Sequence, residues 1–472
     1  MLGNSDNFRQ EKDFLGTMQV PGDAYYGIQT LRAIENFPIT GYKIHSSLIV
    51  AMAIVKKAAA LANVEAGFMD GKIGNAISEA SNELIAGKYH EQFLVDPIQG
   101  GAGTSINMNT NEVIANIALE KMGLTKGNYD AVSPNDHVNM SQSTNDAVPT
   151  AAHICIRMLL NELLETMKKL RDTFVEKAKN FDHVIKMGRT HLQDAVPIRF
   201  GQELEAYAKV LGRDIMRIEA SGQKLNEVNM GATAVGTGLN AYQHYIDSVI
   251  KKLQENSGFP IRQAESLVDA TQNTDCYTEV SAALKICAIN MSKISNDLRM
   301  MASGPRCGLF EINLPPRQPG SSIMPGKVNP VMPELINQVA FQVIGNDHTV
   351  CLASEAGQFE LNVMVPVLVF NLVQSICIMN NAFRVFNEFC VKDITINEER
   401  MRNYVEGSIG IITAINPYVG YATASRLARE ALETGAMVRD LCLRDKVLTS
   451  EQLDKILEPF AMTRVKTERE NF

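Results

Sequence analysis

Four stretches of this chain are richer in short polar residues than a structural scaffold requires: GGAGTSINMNTNE (100–112), PNDHVNMSQSTND (134–146), GRTHLQDA (188–195) and GSSIMPGKVNP (320–330). They hold Thr104, Asn107, Ser143, Thr144, Asn145, Thr190, His191, Ser321, Ser322, Lys327 and Asn329. Hydroxyl, amide and ammonium groups all donate hydrogen bonds, so this set suits carboxylate oxygens, with one imidazole and one ammonium in addition. Ser, Thr, Asn and Gly are also the usual turn and cap residues, and each segment alone is as readily structural as functional. Four of them in one chain point to an anion site. Gly320 and Gly326 bracket Ser321 to Pro325, which suits either a simple turn or a flexible lid that closes over substrate and excludes water.

Other chemistries fail on spacing. A phosphate loop needs four residues between its glycines and a Ser or Thr after its Lys; here five separate Gly320 from Gly326, and Val328 follows Lys327. GATAVGTG (231–238) lacks the dinucleotide spacing and follows no strand-like run. The eight His are dispersed with no HExxH pair, so no metal cofactor is expected. The eight Cys occur singly, without CxxC, which favours reduced, packed thiols over disulfides or zinc.

Long helices must carry these segments. Ile156, Leu160, Leu163, Met167, Leu170 and Phe174 alternate steps of four and three, as do Val280, Leu284, Cys287, Met291, Ile294, Leu298 and Met301. Such a seam faces a neighbouring helix at a shallow angle and predicts a bundle. The stretch from Phe359 to Phe389 is apolar almost all round and should be a helix buried on every side. In a chain of 472 residues these features are most easily satisfied if copies associate, so homo-oligomerisation is expected. The fold class is mainly α. Three domains are expected: 1–145, a central long-helix bundle over 146–395 entered through the SQSTND segment ending at Pro149, and a small helical domain over 396–472. In the last, Asn397 should start a helix with Glu398 and Glu399 in its first turn, Thr449 and Gln452 have capping-box spacing, and the final ten residues read as loose.

Composition narrows the partners. With 45 Lys and Arg against 53 Asp and Glu there is no basic excess for a nucleic acid, and without Trp a base-stacking surface is unexpected. Unbroken apolar runs such as Val363 to Phe370, which contains Pro366, reach no more than 8 residues, against about 20 for a membrane span, so no membrane crossing is expected. The charged start MLGNSDNFRQEKDF lacks the apolar core of a secretory signal, which points to the cytoplasm.

GSSIMPGKVNP resembles the signature of the fumarase/aspartase superfamily, and SQSTND, GRTHLQDA and GGAGTSINMN are similar to its other active-site regions, in the family's order. The resemblance extends from LGTMQVPGDAYYGIQTLRAIENF near the start to SIGIITAINPYVG (408–420). AYYGIQTLRAIENF, AGTSINMN, SQSTND, EINLPPRQPGSS and GQFELNVM are similar to the ammonia-eliminating branch, whereas fumarases more often have SGTQSNMN and SQSSND. The resemblance implies reversible elimination of ammonia from L-aspartate to give fumarate, through an aci-carboxylate intermediate, with Ser321 as base. It implies that Thr104, Ser143, Thr144 and Ser322 donate to the C3-activating carboxylate, that Lys327, Asn329 and Thr190 hold the α-carboxylate, and that Asn145 and His191 lie near the amino group. His191 would be paired with Glu334, as an orienting group or a proton carrier. The family's homotetramer, with a helical core and sites shared between subunits, is the expected assembly. Activation by a divalent metal such as Mg2+ occurs in some relatives and stays open here. A fumarase, or a non-catalytic protein on the same scaffold, are the alternatives.

Overall fold

The structure is a computed structural model that describes residues 8–465; the first residues of the charged N-terminal stretch and the tail 466–472 lie outside the described residues. A hairpin of β1 (Phe8–Asp13) and β2 (Gly16–Pro21) leads into α1 (Ile28–Asn36), α2 (Ser46–Glu65), α3 (Gly71–Ile85) and α4 (Thr104–Lys121). Then come α5 (Thr144–Asn180), a second hairpin of β3 (Ile185–Thr190) and β4 (Gln193–Arg199), and α6 (Phe200–Lys224), α7 (Gln243–Ser257), α8 (Leu267–Gln272), α9 (Asp275–Met301), α10 (Val331–Glu355) and α11 (Val365–Phe389). The chain closes with α12 (Glu398–Gly407) and short helices. Strands are few and paired only two at a time, and the fold is mainly α.

Two compact units interleave along the sequence: 1–164 with 216–286 and 341–379, and 165–215 with 287–340 and 380–472. Each of the five long helices, α5, α6, α9, α10 and α11, contributes residues to both. In the first unit, Ser281 and Lys285 on α9 donate to Asp347 on α10, and Asn346 on α10 donates to Gln374 and Ser375 on α11. In the second, Thr166 on α5 donates to Asn380 on α11, Asn290 on α9 to Asp214 on α6, and Arg299 on α9 to Asn337 on α10. The heptad-like seams of α5 and α9 are buried throughout, as their spacing predicts.

Several local expectations need correction. The helix read from Phe359 begins only at Val365, and Phe359 is 88% exposed; apolarity cannot say where a turn interrupts a run. Within α11 the first half is largely buried, while Asn381 and Arg384 are open. Pro149 does not precede the long helix but lies inside α5. Proline has no N–H for the carbonyl four residues back, and that carbonyl, of Asn145, instead accepts from Asn229 Nδ2 at 2.9 Å. Asn397 stands at the start of α12 but makes no side-chain cap; its amide donates to the Phe310 carbonyl. Thr449 and Gln452 form the expected capping box. All eight Cys are free, but Cys307 and Cys351 are exposed, not packed. Among the described residues two helical segments, Ser46–Glu65 and Val365–Asp393, are long and apolar enough to cross a membrane although polar residues interrupt each; 72% and 61% of their apolar windows are buried inside the protein, as in core helices.

Candidate active site

In the first unit the GGAGTS turn starts α4. Gly101, Ala102 and Gly103 all have positive φ, and a Cβ on Gly103 would meet Val148 Cγ1 at 2.9 Å. Only glycine lets the start of α4 lie this close to the first turns of α5. Thr104 is exposed and its Oγ1 donates to the Gly101 carbonyl at 2.7 Å. On α5, Ser143 caps the helix: its Oγ accepts from Asn145 N, and Asp146 Oδ1 accepts from Ser143 N at 2.9 Å. Thr144 Oγ1 accepts from Asn107 Nδ2 at 3.2 Å, and Asn145 Nδ2 donates to the Ala234 carbonyl at 2.7 Å. Asn145 also lines a cavity of about 240 Å³ with Asn229, Thr271 and Asn362. Thr104, Ser143, Thr144 and Asn145 thus belong to adjoining helix starts carrying several donors.

Buried charge supports this group. Lys56 on α2 is fully buried and donates through Nζ to Asn139 Oδ1 and Gln142 Oε1, both at 2.9 Å. Burial pulls its ammonium down to about 7, with Asp146 opposing. Burial likewise pushes the Asp146 carboxyl up to about 6, against backbone N–H donation from Ser143, Thr233 and Gly231. The sequence reading missed Lys56, Asn139 and Asp146. Their signals were a lysine within the apolar run AMAIVKKAAALA and an acid three residues past the cap Ser143.

The second unit holds the rest. Thr190 ends β3, and His191 and Leu192 form the turn to β4, both with positive φ (55° and 63°), the geometry of a tight type I′ hairpin. His191 is therefore displayed at an exposed tip. The strand behind it is anchored by charge: Arg189 donates to Glu311 Oε1 at 2.8 Å, Lys186 to Glu203 Oε2 at 2.7 Å, and Glu311 is fully buried.

The GSSIMPGKVNP loop is tied at its base by Gly320 N donating to the Lys327 carbonyl and Asn329 Nδ2 donating to the Gly320 carbonyl, both at 2.7 Å. A Cβ on Gly320 would meet that Lys327 oxygen at 2.6 Å, so glycine is required. Ser321 Oγ accepts from the N–H groups of Ile323 and Met324 at 3.2 and 3.1 Å. Residues 322–328, including Ser322 and Lys327, are exposed. Glu334 lies in the first turn of α10. Among the described residues no hydrogen bond joins His191 to Glu334, and no group of three His, Cys, Asp or Glu side chains is placed to hold a metal.

Comparison with known proteins identifies the family. A family profile described as a lyase covers residues 16–345, and one described as the fumarase C C-terminus covers 411–464. The chain is 67% identical to an aspartate ammonia-lyase of Bacillus subtilis (strain 168), over 98% of both chains. It is 50% identical to the aspartate ammonia-lyase of Escherichia coli (strain K12), over 96% of this chain and 95% of that one. Among solved structures, a fumarate lyase:delta crystallin from Brucella melitensis bound to cobalt superposes with a TM-score of 0.95 at 46% identity, covering 97% of this chain and all of that one. A class II fumarase from Schistosoma mansoni superposes at 0.92 with 33% identity, covering 97% and 99%. The chain belongs to this lyase family, the fumarase/aspartase superfamily, and within it stands with the aspartate ammonia-lyases.

Proposed function

We propose that this chain removes ammonia from L-aspartate, reversibly, to give fumarate, and that Ser321 takes the C3 proton. The difficulty lies in that proton, because the only activating group is a carboxylate already negative, and the aci-carboxylate formed carries two charges. Preorganised donors make it accessible, each contributing about 3 to 4 kcal/mol in a dry site. Thr104, Ser143, Thr144 and Ser322 are assigned to those oxygens. Lys327, Asn329 and Thr190 take the α-carboxylate, and Asn145 and His191 face the amino group, with Glu334 as the partner of His191. Ammonia leaves as a neutral molecule from a C–NH3+ group, so no strong general acid is needed there.

The observation that carries this reading is the pair of backbone N–H groups aimed at Ser321 Oγ. A serine hydroxyl is a poor base until ionised, and amide donors lower the cost of the alkoxide; the Lys327 ammonium in the same loop adds positive field.

The Ser143 group and the Ser321 group lie in different units of the chain. We place them together across copies, in a homotetramer whose long helices share a core. Phe341 (64% exposed) and Leu352 (56%) on α10 and Ile289 (49%) on α9 are large apolar side chains on those helices that a second copy would cover.

The test is the ultraviolet absorbance of fumarate with purified protein and either L-aspartate or L-malate, with and without added Mg2+ or a chelator. A rise with aspartate alone, with equimolar ammonia, is expected. A rise with malate alone would make the chain a fumarase, and silence in both from folded protein would make it non-catalytic toward these acids. Ser321→Ala should abolish turnover without changing the assembly; near-normal activity would remove Ser321 as base.

A further inference from the structure

We infer that Asn107, held by Asn139 and the buried Lys56, is a positioning residue that aims the Thr144 hydroxyl proton at the substrate. This rests on the reading above, in which Thr144 donates to the substrate carboxylate.

The argument starts from what an ammonium can do. In its charged form Lys56 Nζ only donates, and it donates to the Asn139 carbonyl oxygen at 2.9 Å, which fixes the orientation of that amide. That one oxygen also accepts from Asn107 Nδ2 at 3.1 Å and Asn111 Nδ2 at 3.2 Å. Three donors on one carbonyl leave Asn107 no choice but to present its NH2 side. The same NH2 donates to Thr144 Oγ1 at 3.2 Å.

A threonine hydroxyl has one proton, and with a lone pair occupied by Asn107 that proton must point away. Among the described residues no side chain or carbonyl accepts it, and Thr144 is partly exposed, so the O–H is left for a ligand. The amide orientation is kept at a cost. Asn107 is 1% exposed, and among the described residues its Oδ1 meets no hydrogen-bond donor. A buried acceptor left unmade is unfavourable, and the donor-only Lys56 imposes the polarity that leaves it so.

A double-mutant cycle in the full-length protein separates the two readings. Thr144→Val, Asn107→Ala and the double variant are assayed for kcat and KM with L-aspartate and for inhibition by fumarate, with assembly and melting temperature as controls. Asn107→Ala should lower kcat/KM about tenfold in folded protein. The double variant should be no worse than Thr144→Val alone, because Asn107 acts through Thr144. A merely structural role would lower the melting temperature and add to the Thr144→Val loss, which would overturn the inference. Wild-type kinetics in Asn107→Ala beside an impaired Thr144→Val would overturn it alone; wild-type kinetics in Thr144→Val would instead overturn the donor role of Thr144 on which it rests. Lys56→Met should reproduce the Asn107→Ala loss, and if it does not fold the Asn107 cycle still decides.

Discussion

Lys327 and Asp146 carry opposite charges and are expected to fail differently when replaced. Lys327 is exposed on its loop, so Lys327→Ala should leave the melting temperature within a degree or so of wild type while raising KM for aspartate and lowering kcat, since the proposed site gives it both the carboxylate and the base. Asp146 is buried, and its folded pKa of about 6 lies above the 3.8 of a free side chain. The folded chain therefore binds this proton more tightly, and the group's contribution to stability is full below pH 3.8 and is lost as the pH rises to about 6. Lys56 is a base whose pKa is lowered from 10.5 to about 7. The folded chain then binds its proton less tightly, and stability rises from about pH 7 to pH 10.5. Urea unfolding across pH should show both slopes. Asp146→Asn should flatten the first and Lys56→Met the second, and unchanged slopes would remove these groups as their source.

At the scale of elements, the same loop base and helix starts give sharper expectations. Gly320→Ala drives a Cβ into the Lys327 carbonyl at 2.6 Å, which must open the base of the 320–330 loop. Its kcat should fall by at least tenfold with little loss of stability, because the loop is exposed and carries no core. Glu112 on α4 accepts from the N–H groups of Gly27, Gln29 and Thr30 and from the Thr30 hydroxyl, holding the first turn of α1. Glu112→Gln replaces one acceptor oxygen by a donor facing those N–H groups and should cost about 2 kcal/mol, measured by chemical denaturation. Helix seams and the Thr449 capping box could be read from the chain because they depend on spacing alone. The true start of α5 could not, because Asn229, 80 or so residues onward in sequence, supplies the bond that proline denies to Asn145.

For the whole molecule the prediction concerns how sites are built. Thr144→Val damages the first group and Ser321→Ala the second, so the former should keep only a small, measurable residual rate and the latter none. Unfolded together and refolded, the two variants should regain part of the wild-type rate, because some sites then combine an intact first group from one copy with an intact second group from another. No recovery from correctly sized assemblies would mean that one chain supplies the whole site. A monomer by sedimentation at micromolar concentration would remove the shared core as well.

The sequence by itself determined which segments gather short polar donors, that long helices carry them, and which lyase superfamily the chain resembles. These depend on residue type, on periods of three to four residues and on local caps, all short-range properties. The tertiary structure alone decided that Lys56 is buried with two amide oxygens at its ammonium, that Ser321 Oγ meets two backbone N–H groups, and that His191 is raised on a hairpin tip. Burial and hydrogen-bond partners are chosen by packing between segments far apart in the chain. A lysine in an apolar helix reads the same in sequence whether it reaches solvent or, as here, lies sealed beneath the loop that presents Ser143 and Thr144.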